Sequence, residues 1–174
     1  IETSMYTHVL LPGVGSFNKG MYLLRTTGWY RWILDHWQKL ERPLLGICLG
    51  MQLLASYGSE GSKGEKIEGL NLIPGSVDPF KTSQNLSLPH VGWNSVTWEK
   101  KLDKLISGVP NGGNLYFVHS YTFNPYENKF VLGITEYGKS FVSAVCSSNI
   151  YGVQFHPEKS QRLGRKVLQN FLQL

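Results

Sequence analysis

The run LLGICLGMQLL, residues 44–54, constrains the fold more than any other part of the chain. Its first residues are apolar without alternation, as in a strand buried on both faces, and a helical period begins directly after Cys48. A strand that enters a helix with no intervening loop has to turn sharply. Gly46 and Gly50, two residues either side of Cys48, suit that turn, because a Cβ there would crowd neighbouring backbone. THVLL at 7–11 is a second buried-looking strand, ended by Pro12-Gly13. PGVGSFNKG then marks a loop in which Ser16 or Asn18 is placed to cap a helix. That helix is expected to draw an apolar face from Met21, Leu24 and the 29–40 segment, and Glu41-Arg42-Pro43 closes it. Strand, helix, strand, helix with continuous apolar strands predicts an α/β fold with a mixed, largely parallel central sheet flanked by helices.

The remainder reads as sheet. Residues 58–75 are rich in Gly, Ser and charge and predict a surface loop with a short strand near 70–73. Residues 77–98 suggest antiparallel pieces. PNGG at 110–113 predicts a turn, followed by the strand LYFVHSY. VLGITEY, SFVSAVCSS and NIYGVQF predict three more strands with tight connections. The closing LGRKVLQNFLQL repeats apolar residues at Leu163, Val167, Leu168, Phe171 and Leu172, as a helix packed on the sheet would. With 174 residues and no interdomain linker, the chain is expected to be one domain, 1–174.

Composition narrows the function. Hydrophobic residues make up 41% and charged residues 17%, which predicts a folded chain. No apolar run approaches the ~20 residues of a membrane span, and no signal-like segment is evident. A cytoplasmic location and no membrane partner are expected. The formal charge is +5, but the basic residues are dispersed, with the densest groups at Lys100, Lys101 and Lys104 and at Lys159, Arg162, Arg165 and Lys166. No nucleic-acid partner is expected. Cys48 and Cys146 match no zinc or disulfide pattern, so both are expected reduced, with no metal and no cofactor.

Gly46-Ile47-Cys48-Leu49-Gly50 is a G-x-nucleophile-x-G arrangement with cysteine as nucleophile. Cys48 would stand at the first turn of a helix, whose positive end favours a thiolate and is expected to lower its pKa. The pentapeptide alone fits equally well a free cysteine buried at a strand–helix junction. A base decides between these readings. His8, at the beginning of a strand, and His36, within a helix, read as structural or solvated. His156 ends a strand, is restrained by Pro157, and has Glu158 two residues on, where an extended segment points both side chains to one region. Glu158 could thus orient His156 to accept a proton from Cys48, completing a nucleophilic triad; a structural turn is the other reading of HPE. Oxyanion donors would come from the N–H of Leu49 and from Val14 or Gly15, although PGVG also reads as a plain turn.

PGVGSF, GICLGMQLL, PHVGWN, YFVHSY and GVQFHPEKS, in that order, resemble the class I (triad-type) glutamine amidotransferases over essentially the whole chain. Within that family the chain is most similar to the glutaminase subunits of imidazole glycerol phosphate synthase. The resemblance implies that Cys48 attacks the glutamine amide carbon, that His156 moves the protons, and that Glu158 orients it. It implies an oxyanion hole at Val14, Gly15 and Leu49, and glutamine held by Gly50, Gln52 and His119-Ser120-Tyr121. It implies a heterodimer with a (β/α)8-barrel cyclase that receives ammonia through a tunnel and forms imidazole glycerol phosphate and aminoimidazole carboxamide ribonucleotide. Pro89, Trp93, Asn94, Lys159 and Ser160 would face that partner; on the bare sequence Trp93 reads as core and Lys159 as merely solvated. The ending NIYGVQFHPEKS also resembles paralogues that supply ammonia for amidation of a surface-polysaccharide sugar, and a catalytically impaired regulatory subunit is the reading from another class. The opening departs from the family, whose members begin with a further strand, helix and strand. The expectation is therefore an N-terminally truncated form of the fold.

Overall fold

In the computed structural model, residues 6–37, 41–82 and 86–174 are described, with the side chains of 36 and 37 excepted; the sequence reading of the His36 side chain lies outside them. Apolar residues without alternation produce β2 (Leu44–Cys48), every residue of which is buried. β2 lies between two parallel neighbours, β1 (Val9–Gly13) and β11 (Ile150–Val153). Period 2 then divides its side chains: Leu44 joins one apolar cluster and Leu45 and Ile47 the other. The sheet continues through β10 (Ser140–Ser147), β9 (Val131–Glu136), β6 (His90–Trp98) and β7 (Gly113–His119) in the order β1-β2-β11-β10-β9-β6-β7. The expected parallel pairing thus holds at β1–β2–β11, while the other four pairings of this sheet are antiparallel. Short turns at 137–139 and 148–149 make antiparallel hairpins there, whereas parallel neighbours need a crossover.

Helices cover both faces. Ser16 caps α1 (Phe17–Thr26), accepting from the Lys19 N–H, and Asn18 instead lies inside the helix. The single long helix expected here is interrupted at Gly28, which takes φ +83 and starts a separate α2 (Trp29–Trp32) with a π-turn after it. α3 (Leu49–Leu53) is also shorter than its sequence pattern. Its end carbonyls are taken by another segment: Leu70 N–H donates to Leu53 O, and the Leu72 and Ile73 N–H groups to Leu54 O. Residues 70–73 therefore serve as a helix cap and not as the expected strand. The final helix, α4 (Gln161–Phe171), buries Val167 and Phe171 against the opposite cluster, and Leu172 faces outward.

A second sheet, ordered β4-β3-β5-β8, comprises β4 (Ile67–Glu68), β3 (Tyr57–Gly58), β5 (Gly75–Pro79) and β8 (Tyr121–Pro125). LYFVHSY is accordingly not one strand. β7 ends at His119 in the large sheet and β8 begins at Tyr121 in the small one, with Ser120 between them. Ser120 O accepts from the Phe80 N–H at 2.8 Å, which fixes the changeover.

Candidate active site

The passage from β2 into α3 places Cys48 at φ +54, ψ −111, a conformation that side-chain-bearing residues rarely adopt. The glycines show why the turn can close. A Cβ on Gly50 would lie 1.6 Å from Leu11 O in β1, and one on Gly46 would lie 2.6 Å from the Gly50 carbonyl. Gly50 is therefore the seat of α3 on β1, and it does not line the cavity that Cys48 faces.

That cavity, about 410 Å³, opens beside the sulfur and is also lined by His156. Two polar groups approach the thiol: Val118 O, to which Sγ donates at 3.7 Å, and the Gln154 Nε2–H, which donates to Sγ at 3.7 Å. Cys48 is 8% exposed, and burial pushes its thiol up to about 11. The Leu49 N–H pulls the other way but is outweighed. The expected depression is therefore overturned: one backbone donor at the head of a five-residue helix counters only part of the loss of solvation. The resting sulfur is a thiol.

His156 follows β11 and is fixed from three directions. Its N–H donates to Tyr116 O at 2.8 Å, and its O accepts the Ser160 hydroxyl at 2.6 Å. Its Nδ1 lies 2.7 Å from Glu158 Oε1. A carboxylate only accepts, so Nδ1 carries a proton, and in the neutral ring Nε2 is the nitrogen left with a lone pair. Ser160 also accepts from the Tyr116 N–H at 2.9 Å and is 1% exposed. It pins the HPE turn to β7 and is no partner surface, contrary to expectation.

The sheet changeover supplies another wall. His119, Ser120 and Tyr121 all line the cavity, joined by Gln52 from α3. Gln52 Nε2 donates to Tyr121 O at 3.2 Å and to Gln154 Oε1 at 2.9 Å. Val14, Gly15 and Leu49 line the same space, and Val14 is 85% exposed at its mouth. Of the expected partner residues, Pro89 and Lys159 border the cavity as well. Trp93 is 48% exposed, against the core reading, and packs edge-on against Tyr116 with ring centroids 5.8 Å apart. Asn94 is half-buried, its amide donating to Glu136 O at 2.8 Å.

Three neighbours of the site escaped the sequence reading. Glu60 lines the cavity, and its Oε2 accepts the Phe17 N–H at 3.2 Å. Its loop carries no periodic signal. Gln154 is fully buried at the end of an apolar run, and a buried glutamine two residues before a candidate base was the available sign. His90, paired with His119, is the third. Among the described residues no cluster of three metal-binding side chains occurs, and no helix is long and apolar enough to cross a membrane.

An elbow cysteine and a carboxylate-held histidine thus line one cavity on this mixed sheet, an arrangement of the kind cysteine amidohydrolases use. The profile of the family "Glutamine amidotransferase class-I" matches residues 2–174, and the chain belongs to that family. It is a glutaminase-type enzyme. It is 52% identical over 176 residues to imidazole glycerol phosphate synthase subunit HisH 1 of Prochlorococcus marinus, an alignment covering 99% of this chain and 82% of that one. It is 45% identical over 168 residues to the HisH subunit of Moorella thermoacetica, covering 95% and 76%. Among solved structures, a glutamine amidotransferase of Thermotoga maritima superposes with a TM-score of 0.65 at 22% identity, covering 99% of this chain and 66% of that one, a likeness of fold.

Proposed function

We propose that Cys48, His156 and Glu158 cleave the side-chain amide of L-glutamine in the 410 Å³ cavity. The observation that carries this reading is that Cys48 and a histidine held through Nδ1 by a carboxylate line one cavity. Because the thiol is protonated at rest, His156 Nε2 takes the Sγ proton as sulfur attacks the amide carbon. The developing oxyanion is met by the Leu49 N–H and by an N–H of the Val14-Gly15 segment. Collapse breaks the C–N bond, His156 returns the proton to the leaving nitrogen, and ammonia departs from a glutamyl thioester. Water, deprotonated by His156, then releases glutamate and the Cys48 thiol. Glu60 is placed to take the substrate α-ammonium, and the 119–121 segment with Gln52 to hold the rest.

The HisH relatives support a role in histidine biosynthesis, with ammonia delivered to a (β/α)8-barrel cyclase subunit in the cytoplasm. Exposed Leu88, Val91 and Trp93, which flank the cavity-lining Pro89 in sequence, suit a protein partner together with the cavity-lining Lys159. Glutamate release should rise when the ligand-loaded cyclase is added. Cys48→Ala should abolish glutamine-dependent product formation and leave ammonium-dependent formation intact. Normal glutamine-dependent turnover in Cys48→Ala would end this reading.

A further inference from the structure

His90 and His119 face each other across β6 and β7, both almost fully buried, and only His119 lines the cavity. Their hydrogen bonds determine where each proton sits. His119 Nδ1 lies 2.9 Å from Tyr121 O, and a carbonyl only accepts, so Nδ1 carries the hydrogen. His119 Nε2 is then an acceptor. The His90 Nδ1 lies 3.0 Å from it and must donate. The remaining His90 Nε2 accepts from the Asn94 amide at 3.4 Å, and Asn94 spends its other hydrogen on Glu136 O. Asn94 Oδ1 accepts the Ser95 N–H at 2.8 Å, which fixes the amide's orientation. From Asn94 through His90 and His119 to Tyr121 O, each residue donates to the next one nearer the cavity. Burial lowers both imidazoles to about 4, so at neutral pH both are uncharged and the row needs these single tautomers.

The row does not stop at His119. Tyr121 O, which takes the His119 proton, also accepts from Gln52. Gln52 binds Gln154, whose own amide donates to the Cys48 sulfur. We propose that His90 is a positioning residue for glutamine binding: by donating to His119 Nε2 it holds the His119 ring in the orientation that keeps Nδ1–H on Tyr121 O and His119 at the cavity wall. This rests on the cavity being the glutamine site. A purely structural role would need only the His90 ring, which stacks on Tyr137 at 4.0 Å and on Phe117 at 5.1 Å between centroids.

Two substitutions separate donor from ring. His90→Phe keeps a stacking ring and removes the donor. His90→Asn shrinks the side chain but leaves an amide N–H close to the Nδ1 position. Imidazole nitrogen-15 spectra report the protonation and hydrogen bonding of each His119 nitrogen directly, and calorimetry in a Cys48→Ala background reports glutamine affinity. His90→Phe should leave His119 protonated at Nδ1, shift its Nε2 resonance to that of an unbonded acceptor, and weaken glutamine about fivefold to tenfold, the effect of one lost neutral hydrogen bond. His90→Asn should restore the bonded Nε2 resonance and most of the affinity, despite packing less well. The proposal is overturned if His90→Phe keeps the affinity, or if His90→Asn binds no better than His90→Phe. Should His90→Phe not fold, His90→Ala takes its place as the variant without a donor, with the same outcomes. A Cys48→Ala chain that binds no glutamine at all sinks the assignment of the cavity, and the spectra then decide the hydrogen-bonded row by themselves.

Discussion

The cysteine and the histidine of this site differ in how their own backbone is held. Around Cys48 the backbone is forced by close approach: Gly50 sits where no Cβ fits beneath Leu11 O, and Cys48 takes the positive φ that results. His156 itself takes an ordinary extended conformation, although α4 approaches its turn closely enough that a Cβ on Gly164 would lie 2.0 Å from Pro157 O. The turn is held by discrete hydrogen bonds to Ser160, Tyr116 and Glu158. Sterics hold one catalytic group rigidly and tolerate no added atoms. Hydrogen bonds hold the other and can be removed one at a time with graded effect.

The largest effect expected from this contrast lies at the sulfur. With its thiol raised from 9.0 to about 11, Cys48 should alkylate roughly a hundredfold more slowly at pH 8 than an ordinary cysteine. Because the neutral form is favoured, the rate should climb about tenfold per pH unit until near pH 11. Peptide-level mass spectrometry after iodoacetamide, read separately for Cys48 and Cys146, measures this. Rapid labelling of Cys48 at pH 7 would mean that the elbow does stabilise a thiolate.

Next in size is Gly50→Ala. Its methyl group has nowhere to go, so α3 must leave β1, with an expected loss of about 3 kcal/mol or more in chemical denaturation. A variant as stable as the parent would remove the steric half of the comparison. Ser160→Ala tests the other half. It leaves the buried Tyr116 N–H and His156 O each without the hydroxyl partner, for about 2 kcal/mol of stability. The chain should still fold, with glutamate release reduced because His156 is no longer pinned. If stability fell and turnover per folded molecule did not, Ser160 would matter to the fold alone.

The smallest effect separates strain from chemistry at one residue. Cys48→Gly and Cys48→Ala should both lack turnover, but the glycine relaxes at φ +54, making it about 1 kcal/mol the more stable of the two. Equal midpoints in urea would show that the elbow stores no strain at this residue.

Several parts of this picture were legible in residue order. The apolar run 44–47 with its flanking glycines marked the elbow, and His156-Pro157-Glu158 marked the base and its orienter. Where the reading failed, a distant segment had intervened. α3 ends early because 70–73 takes its carbonyls, and LYFVHSY divides because Ser120 is bonded to Phe80, just after β5. Ser160 looks exposed beside charged neighbours, yet its hydroxyl is used up inside the fold. The thiol pKa was misjudged for a related reason: the helix end is visible in sequence, but the depth of burial that overrides it is not.

By itself, then, the order of residues determined local geometry: which segments extend, where the backbone can turn on glycine, and which side chains could do the chemistry. Those properties depend on neighbours within a few positions, through sterics and periodicity. Only the tertiary structure decided that Gln154, Glu60 and His119 gather around the sulfur's cavity, with His90 behind His119, and that the sulfur rests protonated. Solvation and hydrogen-bond partnership are set by groups brought together across the sheet from β1, β6, β7 and β11, and spacing along the chain carries no record of them.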